Sequence, residues 1–319
     1  MSTPTSTYRL HRSAAAGCLL AVIAALVILP SCRRAPEAGP RTFNSPEEAV
    51  KALASAVKKE KVDDLLQIFG PEGKELIDTS DPASARHGRE VFAAAATERW
   101  KLVDRDGGGK TLVIGNEDWP FPVPLIQTPQ GWHFDAGLGK EEVITRRIGR
   151  NELAVIDACH TYVAAQRRYA SMAHDGKKPG LYAASFRSDP GKQNGLYWEA
   201  KHGEPRRPLG DLVAQASGEG RTVSGDRSQP SPFHGYYFKI LTGQGASARG
   251  GAKSYLVNGE MSGGFALVAW PAQYDSTGIM TFIVGPDAVV REKDLGPETD
   301  AAARGMTAFE PDASWRNAR

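Results

Sequence analysis

Apolar residues recur at helical spacing in three segments before Trp100. Residues 45–48, Ser-Pro-Glu-Glu, combine the hydroxyl cap, first-turn proline and carboxylates of a helix start, and the apolar positions after them predict a helix to Val57. A second helix is expected over Val62 to Phe69, because Gly-Pro follows it. A third is expected over Arg86 to Trp100, where alanines favour helix.

From Trp100 onward the period of the apolar positions changes to two. The expected strands, separated by Gly- and Pro-containing turns, are Trp100–Val103, Lys110–Ile114, Val123–Gln127 and Gly131–Phe134. Helices followed by a meander of strands indicate an α+β fold. Together with the openings of the first two helices, this order resembles the NTF2-like fold, in which a curved sheet wraps a helix and often leaves a pocket.

The second part of the chain shows the same order. Residues 141–147 carry two glutamates and then two arginines and are interpreted as a charged connector. Asn151 is expected to begin a helix over Glu152 to about Ala170, and residues 171–232 to form a loop-rich insertion with a short helix at Leu209 to Ala216. The strands expected after it are Tyr236–Leu241, Ser254–Val257, Phe265–Trp270, Ile279–Val284 and Ala288–Arg291.

The N-terminus has the layout of a secretory signal. A polar and basic start precedes an apolar run from Ala14 to Leu29, which is short for a membrane span of about 20 residues. Residues 29–32, Leu-Pro-Ser-Cys, resemble the bacterial lipobox, which implies that Cys32 is acylated. Arg33 then implies the outer membrane, by the rule for proteobacterial lipoproteins. An uncleaved anchor helix and ordinary secretion are the alternatives.

Composition is that of a globular chain without a strong charge bias. The 319 residues include 39 basic and 37 acidic side chains. Arg9 and Arg12 are the charged residues of the signal, so its removal leaves a net charge of zero, which argues against nucleic acid as a partner. Of the three cysteines, one lies in the signal and Cys32 would carry lipid, so Cys159 has no partner for an intramolecular disulfide.

Several runs resemble a bacterial family labelled domain of unknown function 2950. They are Trp-His-Phe-Asp at 132–135, Arg-Arg-Ile-Gly-Arg-Asn-Glu-Leu at 146–153, Gly-Tyr-Tyr-Phe at 235–238, Tyr-Asp-Ser-Thr-Gly at 274–278 and Thr-Phe-Ile-Val at 281–284. The similarity covers about Phe43 to Trp315. The resemblance implies an exported protein and supplies no catalytic residue.

A second resemblance concerns the helix after Asn151. Residues 162–169, Tyr-Val-Ala-Ala-Gln-Arg-Arg-Tyr, with the later Ala-Trp-Pro and Ser-Thr-Gly-Ile-Met-Thr-Phe, are similar to the globular part of type IV pilin and pseudopilin subunits. Those proteins lay a helix across an antiparallel sheet. The chain lacks the long apolar half of the pilin helix directly before this segment, so polymerisation through such a helix is not expected.

These interpretations predict an α+β protein with two domains. The expected segments are a signal peptide at 1–31, a Pro-rich tether at 32–42, an NTF2-like domain at 43–140, the connector at 141–147 and a pilin-like domain at 148–319 that contains the insertion near 171–232.

No motif predicts catalysis. The chain has neither a Gly-x-Ser-x-Gly elbow nor a Ser-x-x-Lys set with companion motifs. Cys159 and His160 are adjacent, but helix neighbours point about 100° apart, so Cys159 is interpreted as structural. Asp157 and His160 with a distant His174 form an incomplete ligand set, so no metal and no cofactor are expected.

Residues 119–125, Trp-Pro-Phe-Pro-Val-Pro-Leu, contain a proline at every second position. These prolines have no N–H group to donate to the backbone hydrogen bonds of a β-sheet. They indicate either a protected edge strand or an aromatic platform that receives a partner. The candidate binding surface consists of Trp119, Phe121, Trp132 and Phe134, with Arg146, Arg147 and Arg150 as a docking edge.

The expected function is non-catalytic binding of a protein, an envelope component or a cell-wall partner by a lipid-anchored protein at the periplasmic face of the outer membrane. One alternative is an envelope hydrolase with a site between the two domains, for which the candidates are His174, Ser185, His234 and Asp275. Another is an accessory subunit of a pilus or secretion apparatus.

Overall fold

The computed structural model describes residues 39–77, 81–198, 208–210 and 232–319, all within one compact unit, Glu37–Arg319. The signal sequence and Cys32 lie outside the described residues. Most of the tether and of the helix expected at Leu209 to Ala216 also lie outside them. In the part of the chain that the structure describes, no helix has both the length and the apolar character needed to cross a membrane.

The first half begins with short helices whose ends are set by local signals. The helices are α1 (Pro46–Lys58), α2 (Val62–Phe69), a 3-10 turn at Pro71–Gly73, α3 (Lys74–Ile77) and α4 (Pro82–Glu98). The Ser45 hydroxyl accepts the N–H of Glu48 and caps α1 as expected. Helix α4 begins at Pro82 rather than Arg86, because the Asp81 carboxylate accepts the Ser84 N–H and caps it there.

An antiparallel sheet follows these helices. Its strands are β1 (Trp100–Asp104), β2 (Lys110–Ile114), β3 (Trp119–Pro120), β4 (Leu125–Thr128) and β5 (Gly131–Phe134), in the order β1-β2-β4-β5 with β3 paired to β2. Apolar residues of α1, α2, β2, β4 and β5 form the first hydrophobic core. The strands expected from the alternating pattern are therefore present here.

The chain then forms one helix of 35 residues, α5 (Ala136–Ala170). The helix expected to begin near Glu152 thus begins at Ala136, where the Asp135 carboxylate accepts the Leu138 N–H, and residues 141–147 are part of it rather than a connector. The segment contains no proline, and Glu142 pairs with Arg146 one turn later at 2.7 Å. Both features favour a continuous helix over a break.

The second half is built on a larger antiparallel sheet. Its strands are β6 (Tyr236–Leu241), β7 (Gly243–Gln244), β8 (Lys253–Ser254), β9 (Leu256–Val257), β10 (Glu260–Met261), β11 (Ala266–Pro271), β12 (Met280–Val284), β13 (Arg291–Asp294), β14 (Ala308–Phe309) and β15 (Arg316–Asn317), with helix α6 (Thr299–Gly305). The main sheet has the order β15-β13-β12-β11-β6. Helices α5 and α6 both pack against β11, whose six residues are all buried. The helices and antiparallel sheets of the two halves confirm the α+β class.

Two of the expected strands differ in the structure. The strand expected over Ser254–Val257 is divided into β8 and β9, which pair with different neighbours, β7 and β10. A strand was expected over Ala288 to Arg291, whereas β13 covers Arg291–Asp294. Ala288 has a φ of +62°, which belongs to a turn and not to a strand.

Polar side chains of α5 fix the second sheet to the helix. Glu152 Oε1 accepts the N–H groups of Ile279 and Met280, each at 2.9 Å, and the Tyr236 hydroxyl at 3.2 Å. Burial and the Glu152 carboxylate raise the pKa of Tyr236, so its hydroxyl remains a donor. Asn151 Nδ2 donates to the carbonyl of Thr277 at 2.9 Å. Two consecutive residues of α5 therefore hold the turn and strand around residue 278.

We expect Glu152→Leu to lower the free energy of unfolding by about 3 kcal/mol, because it removes the acceptor of two backbone N–H groups and leaves the Tyr236 hydroxyl with the Met280 carbonyl alone. Glu152→Gln keeps the acceptor oxygen and is expected to cost about 1 kcal/mol. Denaturant unfolding followed by circular dichroism measures both, with the exposed neighbour Leu153→Ala as a control that changes little. Equal losses for Leu and Gln at position 152 would contradict the role of this acceptor.

Candidate functional site

A cavity of about 220 Å³ lies in the first half of the protein, between α1, α2, α4, β3 and the N-terminal half of α5. Most of its wall is apolar, because it is an extension of the first core. Residues that form this wall include Leu53, Val57, Leu65, Phe69, Phe92 and Val123. A concave, mainly apolar site with a few convergent polar groups is the usual form of a small-molecule site.

The Pro-rich segment forms one side of the cavity. Strand β3, Trp119–Pro120, is a two-residue exposed strand that pairs with β2, as expected of a protected edge. The next residue, Phe121, turns inward and packs edge-to-face on Phe92 at 5.2 Å and on Phe134 at 6.0 Å between ring centroids. Trp119 stays 41% exposed beside it. The segment is therefore an edge strand that also supplies an aromatic wall.

Four arginines line the same cavity: Arg89 from α4 and Arg146, Arg147 and Arg150 from α5. The α5 residues face one side because residues three and four apart are neighbours on a helix. Arg146 is held in place, since it donates to Pro120 O at 2.8 Å and its guanidinium carbon lies 5.2 Å from the centroid of the Trp119 ring. Arg147 donates to Leu76 O at 2.9 Å.

Three of these arginines, Arg89, Arg147 and Arg150, form no ion pair with a described carboxylate. The Nε of Arg89 is buried and has no hydrogen-bond partner. Arg150 forms no ion pair with any described carboxylate and keeps part of its side chain in solvent. Burial lowers the pKa of Arg147, the charge of Arg150 lowers it further, and desolvation also lowers the pKa of Arg150. The site therefore concentrates positive charge in partly desolvated surroundings.

One carboxylate, Asp81, lies among the described lining residues. Asp81 accepts hydrogen bonds from the Ser84 N–H and hydroxyl, both at 3.0 Å, and from the N–H of Gly235 at 3.0 Å. Its oxygens therefore cap α4 and bind the backbone of the second half. With four arginines and one carboxylate, the lining is strongly positive overall.

The structure brings together five of the seven residues of the expected binding surface. Trp119, Phe121, Arg146, Arg147 and Arg150 line the cavity.

The other two lie elsewhere. Phe134 is fully buried in the first core and presents no surface, and Trp132 pairs through its backbone with Phe43. Sequence reasoning missed Arg89, although an arginine three positions after Arg86 on an alanine-rich helix was a usable signal.

The residues considered for other chemistry have local structural roles. Cys159 is completely buried, and burial raises its pKa to about 12. His174 stacks on Tyr169 with ring centroids 3.8 Å apart and donates to the Tyr169 carbonyl at 2.9 Å. Ser185 donates to the Arg187 carbonyl, and Asp275 lies in a turn with a φ of +59°. Within the described ranges, no three His, Cys, Asp or Glu side chains form a group that could hold a metal ion.

A model of a protein family described as "Protein of unknown function (DUF2950)" matches residues 40–318. The chain belongs to this family. No curated protein and no solved structure matches the chain. The family description assigns no activity, and the pilin-like and NTF2-like resemblances stay predictions. The geometry of the cavity therefore carries the functional argument.

Cys159 is expected to resist alkylation in the folded protein. With a pKa of about 12, about one thiol in ten thousand is ionised at pH 8, and the thiolate is the reactive form. Peptide mass spectrometry after iodoacetamide treatment at pH 8 should find the Cys159 peptide unmodified. The same treatment in concentrated guanidinium should modify it fully, and rapid modification of the native protein would contradict the burial.

Proposed function

We propose that the protein is a non-catalytic binding protein of the cell envelope and that the arginine-lined cavity is its binding site. The observation that carries this proposal is the convergence of an apolar, aromatic wall and several side-chain donors on one cavity. Such a site provides apolar area for affinity and a few directional groups for orientation. The bound molecule in this proposal is a component of the envelope.

The chemistry of the lining supports binding over catalysis. Nucleophilic catalysis requires a nucleophile, a base within hydrogen-bond reach and a group that orients the base. The described lining contains one pair of this general kind, Ser84 and Asp81, and both side chains serve the N-terminal cap of α4. No histidine or cysteine is among the described lining residues.

The location and the finer fold are part of the same proposal. The signal layout and the Cys32 context support a lipid anchor at the periplasmic face of the outer membrane, with the Pro-rich residues 32–42 as a tether. Helices before an antiparallel sheet support an NTF2-like first half. A long helix packed on an antiparallel sheet supports a pilin-like second half.

The lipid anchor predicts a modified mature N-terminus. We expect intact mass spectrometry of the natively expressed protein to show the mass of two or three acyl chains on Cys32, and Cys32→Ala to abolish both this mass and membrane fractionation. An unmodified protein with a free Cys32 would contradict the anchor.

Filling the cavity is expected to block binding. Gly88 of α4 lines the cavity, and a Cβ at this position would meet no atom within 4 Å. Gly88→Leu should therefore weaken binding of the neutral fluorescent probe N-phenyl-1-naphthylamine about tenfold or more, because the new side chain occupies apolar space.

Gly149→Leu is the matched control for this experiment. Gly149 also lies in a helix and has open space at its Cβ, but it does not line the cavity. Its substitution should leave the probe affinity unchanged. Equal affinities of the wild type and the Gly88→Leu variant would overturn the assignment of the cavity as the binding site.

A further inference from the structure

We propose that the cavity recognises a small amphiphile with an oxyanion head, a carboxylate or a phosphate, which lies against Arg89, Arg147 and Arg150 while its apolar body lies among the aromatic side chains. This inference rests on the proposed function, since it names the class of molecule that the cavity binds. It also assigns Arg89 as a binding residue.

The hydrogen bonding of Arg89 is incomplete. Its Nε is buried, and buried donors in native proteins nearly always have an acceptor. The described residues supply none, although Asp81 lies on the same cavity wall, because its oxygens bind Ser84 and Gly235. A guanidinium presents planar, parallel N–H groups that match the two oxygens of a carboxylate or phosphate. A bound oxyanion would complete the hydrogen bonding of Arg89.

Helix α5 places positive charge at the cavity. Arg147 and Arg150 lie one turn apart, and the charge of Arg150 adds to the cost of holding the charge of Arg147 in partly desolvated surroundings. Arg146 is neutralised by Glu142 at 2.7 Å, but no described carboxylate pairs with Arg147 or Arg150. An anionic head between them would relieve this repulsion. The electrostatics therefore favour an anion over a neutral or cationic head.

The rest of the cavity is small and mainly apolar. Phe69, Phe92 and Phe121 form an uncharged aromatic surface in the cavity wall. The volume of about 220 Å³ lies below the range of roughly 300–1,000 Å³ that is usual for drug-sized ligands. A short alkyl chain or a small aromatic ring system fits this space better than a long acyl chain.

Three compounds with eight carbon atoms each separate the role of the head from that of the apolar body. Octanoate, octyl phosphate and octanol are titrated against the protein by displacement of N-phenyl-1-naphthylamine. We expect at least one of the two anions to displace the probe at a concentration tenfold or more below that of octanol. The tighter of the two anions identifies whether the head is a free carboxylate or a phosphate headgroup.

Failure of this inference and failure of the proposed function give different results. If octanol displaces the probe as well as both anions do, the oxyanion inference is overturned while the binding function stands. If the probe itself does not bind, the proposed function fails as well.

Substitution of Arg89 tests its assignment directly. Arg89→Met keeps much of the apolar length of the side chain and removes the charge and the buried donor. We expect tenfold or more weaker binding of the favoured anion, unchanged binding of octanol, and a melting temperature equal to or above that of the wild type, because an unsatisfied buried donor is gone.

Arg168→Met is the matched control, since Arg168 is an exposed arginine of α5 outside the cavity and should leave all three affinities unchanged. Arg150→Met gives a second test at a more exposed position and should also weaken anion binding. An Arg89→Met protein with a lowered melting temperature and full affinity for the anions would show that Arg89 is structural and would overturn the inference.

Discussion

The whole molecule is organised around one helix that belongs to two hydrophobic cores. Ala136 near the start of α5 is buried in the first core, and Val155 and Tyr162 further along are buried in the second. A helix is stiff over this length, so the position of one core restricts the position of the other. The donor Asn151 and the acceptor Glu152 lie near the middle of α5, where the helix passes from the first core to the second.

The cavity depends on this arrangement at two points of its wall. Asp81 lines it and accepts the N–H of Gly235, and Asn151 lines it and donates to the Thr277 carbonyl. Gly235 has a φ of +72°, and a Cβ there would lie 2.7 Å from Asn151 Nδ2, so the backbone can approach this closely because the residue is glycine. The shape of a site in the first half is thus supported by the backbone of the second.

The sequence pattern predicted the helices whose ends are set by capping residues and by Gly-Pro stops close by in the chain. Helices α1 and α2 have strong amphipathic patterns and clear stops, and their positions were confirmed. The N-terminal half of α5 was missed, because the charges at 141–147 suggested a connector, whereas the Glu142–Arg146 pair supports the helix. In the site, the cluster of α5 arginines was visible in sequence. The burial of Phe134 and the position of Arg89 in the cavity wall were not, because both depend on which faces the fold covers.

Strand β11 has a consequence for how the protein reaches its folded state. Its residues Ala266–Trp270 are uncharged and fully buried, and Pro271 ends the run. Its two sheet neighbours, β6 and β12, are separated from it by intervening chain, so both sides of this segment are open until those strands pair. Such an exposed apolar segment can pair with the same segment of another chain and so promote aggregation. A proline beside it reduces this pairing, because proline cannot donate a backbone hydrogen bond. A chain with this strand would gain from a chaperone that covers it until the sheet closes.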